Sequence, residues 1–380
     1  MGRDTLKIGI ALSGGGVRAA VFHFGVLGRL AADGLLENIT FISTVSGGSL
    51  GIGLIYSIYG NRWPTSDAFI NKSLSQARYY LTQTNIQHDV VFKLLTQPWF
   101  LIQGKAKLLS ESIQHCWQVC GLLRDIPTEP RWIINATSYE SGKNWRFMPQ
   151  RMGDYILNYV SNPAIPLADA MAASAAYPGL IGPIILRTNK YKWFRFVNYP
   201  EEKIESVEPE VKKIHLWDGG VYDNLAVEAL FKSQGEKFRD EYNFLIVSDA
   251  SKGIEIEKPS SLYRRAFRLV NIAMDQVRSL RARSLVSHFR DNCNSGVYLR
   301  MGNTARYILE QAGIPEEKIA ALTENSLSEC GVNTVADLET SLRRLSEDEF
   351  ERVYRHGWEV ANFTLQSRCP NLFHHREYGK

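Results

Sequence analysis

A strand that runs without a linker into a small-residue helix tightly constrains the fold of this chain. It occurs at Ile39–Gly53, ITFISTVSGGSLGIG. The first half is apolar and β-branched, as expected of a short buried strand. From Ser49 through Tyr59 the residues read as a helix start running into apolar turns. Between them lie Thr44-Val45-Ser46-Gly47-Gly48. A serine on so sharp a turn has its hydroxyl pushed out of the sheet, above the unbonded N–H groups of the helix start. The turn needs small neighbours, and Gly47 and Gly48 supply them. The pattern G-x-S-x-G is met at its last four positions, with Thr44 in place of the first glycine. Taken alone, the stretch also fits a glycine-serine loop of no chemical consequence.

A second strand-to-helix turn precedes it. Lys7–Leu12 is a strand, Ser13-Gly14-Gly15-Gly16-Val17-Arg18 follows, and from Ala19 to Ala32 the apolar spacing is helical. The Walker A pattern fails because no Gly-Lys-Ser/Thr closes it, and the dinucleotide fingerprint lacks its last glycine. What remains is an anion or oxyanion cradle of backbone N–H groups, with Arg18 as a nearby positive charge. The bland alternative is a tight turn.

At 380 residues the chain can bury a large core, as one big α/β domain or two smaller ones. A net charge of +4 is too mild to argue for nucleic acid, and is compatible with an anionic membrane surface. Five cysteines without framework spacing suggest reduced thiols in a cytosolic compartment. Cys116 and Cys120 have no second pair to complete a metal site, so no metal and no cofactor are expected. No apolar signal core precedes the first strand, and no apolar run reaches the length of a membrane span. The expected location is cytoplasmic, soluble or peripheral at a membrane.

Strand–helix alternation lapses from about 61 to 130, where Asp67–Leu81, Asp89–Leu95 and Ala106–Leu123 read as helices around the apolar knot Pro98–Ile102. This segment reads as a helical insertion over the sheet's edge. Trp63, Phe92, Trp99, Phe100, Leu101, Ile102 and Trp117 could line an acyl-chain entrance there, or be plain core. Arg131–Ser138 and Trp145–Met148 read as a hairpin, Ala164–Ala176 as an alanine-rich helix, and 187–213 as an irregular surface excursion. Ile214–Trp217 is a short strand ending in Asp218-Gly219-Gly220. Ser260–Arg290 reads as one helix with seven arginines, mostly a solvated face, with a membrane or partner surface as the lesser reading. The region from about 302 is helical. Without a linker or repeat, the expectation is one domain, 1–380.

A serine nucleophile needs a base, usually histidine. None of the eight histidines is marked by context. His215 should point to the face opposite Asp218, and His23 lies mid-helix. An acid at a strand's carboxyl end, beside glycines that admit close approach, is the better candidate, with Asp223 and Asp249 as rivals. A Ser–Asp dyad works where burial raises the acid's pKa.

Gly14-Gly15-Gly16-Val17-Arg18, then Val45-Ser46-Gly47-Gly48, then Asp218-Gly219-Gly220, in that order, resemble the patatin-like phospholipase family. Ala173-Ser174-Ala175-Ala176-Tyr177-Pro178 matches a further signature, and the resemblance spans roughly 7 to 250. It implies a three-layer α/β/α fold with a mostly parallel central sheet. It also implies a catalytic dyad of Ser46 and Asp218, and an oxyanion hole at Gly14, Gly15 and Gly16. Arg18, Gly47 and Gly48 are then expected to bind substrate. The implied activity is lipid acyl hydrolysis of a phospholipid or lysophospholipid through a Ser46 acyl-enzyme, with transacylation as an alternative. A third reading is a non-catalytic anion-binding or scaffolding module. A regulatory partner would go unnamed in the sequence.

Overall fold

β1 (Ile8–Leu12) carries Ile8, Ile10 and Leu12 into one buried apolar cluster and Ala11 into another on its opposite face. A strand buried on both sides belongs in the middle of a sheet covered by helices. The structure is a computed structural model that describes residues 6–96, 105–178, 181–197, 203–232, 237–238, 242–253 and 261–379. After β1 come α1 (Gly16–Ala31), β2 (Ile39–Val45) and α2 (Gly47–Ile58). Helices α3 (Leu74–Gln83), α4 (Ile86–Thr96) and α5 (Lys105–Trp117) follow.

Next are β3 (Arg131–Ser138), β4 (Asn144–Phe147), β5 (Arg151–Asp154), β6 (Asn158–Ser161) and α6 (Leu167–Ser174). Then come β7 (Ile184–Arg187), β8 (Trp193–Val197), β9 (Lys203–Val207) and β10 (Lys213–Asp218). The chain continues with β11 (Phe244–Asp249), α7 (Leu262–Asp291) and β12 (Gly296–Arg300). It ends in α8 (Ala305–Gln311), α9 (Glu316–Thr323), α10 (Glu329–Asp337) and α11 (Glu347–Arg368).

The centre of the twelve-stranded sheet is parallel, in the order β12-β11-β1-β2-β3. Beyond β3 it continues antiparallel through β4, β5, β6, β8 and β9, while β10 pairs β3 on one side and β7 on the other. Helices α1, α2 and α11 cover one face, and α7 covers the other with Leu285 in its cluster. The result is the expected three-layer α/β arrangement. The parallel strands put their carboxyl ends, and hence both glycine turns, on one edge of the sheet.

Several local expectations need correction. Residues 187–213 contain the hairpin β8–β9, whose strands alternate Arg195 and Glu205, paired at 2.8 Å, with aromatic neighbours such as Phe194 and Phe196. Exposed edge strands carry such charges, which disguise them in sequence. The alanine-rich helix stops at Ser174 because the carbonyls of Ser174 and Ala176 accept the amides of Gly219 (3.2 Å) and Asp218 (3.0 Å). Trp117 is buried core, and Trp63 packs against that core with its indole N–H on the Leu36 carbonyl at 2.9 Å. Among the described residues no helix is long and apolar enough to cross a membrane.

Candidate active site

Ser46 sits between β2 and α2 with φ 50° and ψ −117°, a conformation that a non-glycine residue holds only when its surroundings enforce it. Those surroundings are specific. The Ser46 amide donates to Ser174 Oγ at 3.0 Å, and the Gly48 amide to the Ser13 carbonyl at 3.1 Å. A Cβ on Gly47 would stand 2.9 Å from the Gly16 nitrogen, and one on Gly48 would stand 3.0 Å from the Leu12 carbonyl carbon. Gly47 and Gly48 are therefore packing residues that let the two turns touch. They do not border the cavity described below, which corrects their expected role in binding substrate.

Thr44, the departure from the glycine pattern, is fully buried and polar-satisfied. Its Oγ1 accepts from the Trp132 indole at 3.0 Å and bonds Ser49 Oγ at 2.8 Å. Ser49 Oγ in turn meets Ser174 Oγ at 2.9 Å, and Ser174 donates to the Asn135 carbonyl at 2.6 Å. Ser43 donates to the Ala226 carbonyl at 2.6 Å. The hydroxyls of Ser43 and Ser49 are thus committed inside the fold, while Ser46 lines a cavity.

Asp218 ends β10, held there by antiparallel pairing to Ala136 of β3. A Cβ on Gly219 would be 2.6 Å from Val45 Cγ2, so glycine is what lets this strand end abut the Ser46 turn. The carboxyl is buried, and burial pushes its pKa up from 3.8 to about 6 against the Gly220 amide and the Ser46 side chain, which hydrogen-bond to it. The rivals are occupied elsewhere. Asp223 accepts the amides of Leu225 and Glu228, and Asp249 accepts from Ser251 N, Arg278 and Tyr298.

The glycine loop is more constrained than three equivalent donors would be. Gly14 already donates to the Asn224 carbonyl at 3.2 Å, so its amide is not available as an oxyanion donor. Gly15 (φ 139°) and Gly16 (φ 66°) stand at the start of α1, and no backbone acceptor is bonded to their amides among the described residues. Arg18 is a correction of another kind. It is buried, with Nη1 on the carbonyls of Ala336 (2.6 Å) and Leu338 (2.9 Å) and Nη2 on that of Ala250 (3.1 Å). It ties α1 to the 336–342 segment rather than presenting charge to a ligand. The Val17 amide completes that tie on the Ser341 carbonyl at 3.0 Å.

The two histidines that the sequence brings into question are bonded elsewhere. His23 spends both ring nitrogens on Ser248 Oγ (2.8 Å) and the Ser13 carbonyl (3.0 Å), and burial lowers its pKa to about 4. His215 bonds Glu140 at 2.6 Å. Among the described residues no histidine lines the cavity holding Ser46 and Asp218. That cavity has a volume of about 600 Å³. Its walls are the glycine loop, Val90 and Val91 of α4, Asn271 and Met274 of α7, and residues 339–342. Asn224 and the 339–342 segment carry no local sequence signal, because distant chain segments bring them to the site. Trp99, Phe100, Leu101 and Ile102 lie outside the described residues, whereas Phe92 is exposed on α4. A grouping not anticipated is Asp89, His115 and Cys116, whose ligating atoms lie within 4.8 Å of one another, with Lys93 2.7 Å from Asp89.

Residues 10–231 match the family model for patatin-like phospholipases, more than half of the chain. Human GIVD cytosolic phospholipase A2 is similar in fold, with a TM-score of 0.51 at 13% identity, over 96% of this chain and 59% of that one. Two structures of the same human enzyme with methyl gamma-linolenyl fluorophosphonate give TM-scores of 0.49 and 0.46 at 13% and 14% identity. Each covers 96% of this chain and 58% of that one. The present chain thus spans about three-fifths of the length of these structures. No curated protein sequence matches it.

Proposed function

Because the chain belongs to the patatin-like phospholipase family, we propose that it is a lipid acyl hydrolase working through a Ser46–Asp218 dyad. The carrying observation is that Ser46, on a strained turn, and the buried carboxyl of Asp218 line one cavity, where burial lifts the carboxyl pKa to about 6 and leaves it ionised at neutral pH. Ser46 Oγ attacks the ester carbonyl and its proton passes to Asp218. The amides of Gly15 and Gly16 face the oxyanion that forms, and removal of one such donor costs about 3–4 kcal/mol in known cases. Collapse of the tetrahedral intermediate breaks the bond to the leaving alcohol, which takes the proton from Asp218. Water, deprotonated by Asp218, then attacks the acyl-enzyme, and the fatty acid leaves as Asp218 returns the proton to Ser46 Oγ. A glycerophospholipid or lysophospholipid suits a cavity of about 600 Å³ walled by Val90, Val91, Met274 and Leu342.

Covalent labelling by an alkyl fluorophosphonate, mapped by peptide mass spectrometry, tests this reading. Ser46 should carry the label, and Ser46→Ala should lose both label and turnover at an unchanged melting temperature. Label on Ser43 or Ser49 would overturn the assignment. An unlabelled protein would leave the anion-binding module as the better description. A panel of phospholipids and lysophospholipids read by mass spectrometry then identifies the head group and ester position.

A further inference from the structure

The outer surfaces of α4 and α7, two helices that wall the Ser46 cavity, combine exposed apolar side chains with arginines. Of the fifteen exposed large apolar side chains among the described residues, eight lie on these two helices. On α4 they are Val91, Phe92 (66% exposed) and Leu95 (77%), at the i, i+1, i+4 spacing of one helix face. On α7, Leu269 (67% exposed), Ile272 and Leu280 (60%) recur at helical spacing on the side away from Asn271 and Met274, which face the cavity. Val91 belongs to both settings, since it borders the cavity and is half-exposed. A soluble surface rarely concentrates apolar side chains in this way without a binding role.

Charge narrows the partner. Helix α7 carries seven arginines against two acids, Asp275 and Asp291. Arg278 and Arg281 turn inward to Asp249 (3.0 Å) and Asp223 (3.6 Å), and Asp275 lies 3.6 Å from Arg278. Arg264 and Arg283 are exposed, and Arg283 shares the helix side of Leu269 and Leu280. A helix whose outer face mixes leucine and arginine lies flat in the boundary between anionic head groups and acyl chains. We propose that the α4–α7 surface docks the protein on an anionic lipid bilayer. The identity of the partner rests on the lipid-hydrolase reading, whereas the surface itself rests on exposure and charge alone.

Sedimentation of the full chain with vesicles tests the proposal, with the rate on a soluble short-chain ester and the melting temperature as controls. Wild type should bind mixed phosphatidylcholine–phosphatidylserine vesicles more tightly than pure phosphatidylcholine. Binding should weaken as salt rises from about 0.1 M to about 1 M, where the Debye length falls from ~10 to ~3 Å. Phe92→Ser/Leu95→Ser/Leu269→Ser should lower partitioning onto both vesicle types by roughly tenfold or more. Arg264→Glu/Arg283→Glu should lower it by roughly tenfold on the anionic vesicles only. Both variants should keep the soluble-ester rate and the melting temperature. Binding that is equal in wild type and both variants, or dimerisation abolished by the same substitutions in the absence of lipid binding, overturns the proposal. Vesicle binding without hydrolysis of any ester would instead defeat the functional reading and leave this surface standing.

Discussion

The Gly220 amide donates to Asp218 Oδ1 at 2.7 Å, two residues on along the same chain. It partly offsets a burial that pushes the carboxyl pKa to about 6. This balance leaves the group ionised at pH 7 yet basic enough to take a hydroxyl proton. In the proposed mechanism only the ionised form works, so kcat/KM on a soluble ester should fall tenfold per pH unit below about 6. Asp218→Asn should lose several orders of magnitude in kcat across the whole profile. An acid limb nearer 4 would mean that the carboxyl is solvated during turnover.

The same burial has a cost in stability. The folded pKa is raised, so the protonated carboxyl is favoured in the folded state, and stability declines as pH rises from 3.8 through about 6. Above that range the cost is about 3 kcal/mol, and below pH 4 it vanishes. Asp218→Asn should therefore melt higher than wild type at pH 8 and equal to it at pH 4. A variant less stable than wild type at pH 8 would show that the carboxylate is better solvated than its burial implies.

Arg18 gives a test that separates tether from anion site. Removing its fork leaves the carbonyls of Ala336, Leu338 and Ala250 without their donor. Arg18→Ala should cost about 3 kcal/mol of stability, and Arg18→Lys should recover little of it because one ammonium cannot span three carbonyls. An unchanged melting temperature with a raised KM would return Arg18 to the role of ligand-binding charge.

Chelation is a fourth measurement. The proposed oxyanion rests on backbone amides, so prolonged EDTA treatment should leave the rate on a soluble ester unchanged. Loss of that rate, restored by a divalent ion and abolished by Cys116→Ser, would give the Asp89–His115–Cys116 grouping a part in activity.

The sheet's parallel centre and its two glycine turns were legible because each is local: a β-branched run, small residues, then helical periodicity. The turn holding Ser46 was legible for the same reason, whereas Asp218 stood out from Asp223 and Asp249 only through the ordered family motifs. What hid was long-range. Nothing near Gly14 announces that its amide is engaged by Asn224, and Arg18 looks like a free cation until residues 336–340 fold onto it. The hairpin β8–β9 hid because charged residues on an exposed edge blur the alternation that marks a buried strand. The early end of α6 hid because strand β10, more than thirty residues later, takes its carbonyls.

β1 has consequences for synthesis on the ribosome. It carries the first glycine turn, yet one of its two parallel partners is β11, paired from Ile8↔Phe244 onward. A nascent chain must hold one open hydrogen-bonding edge of a wholly apolar strand while more than two hundred further residues are made. The wall supplied by Ser341 arrives later still. Cells producing this protein therefore face an aggregation-prone interval set by translation time, and slowed elongation between β2 and β11 should raise its demand for chaperones.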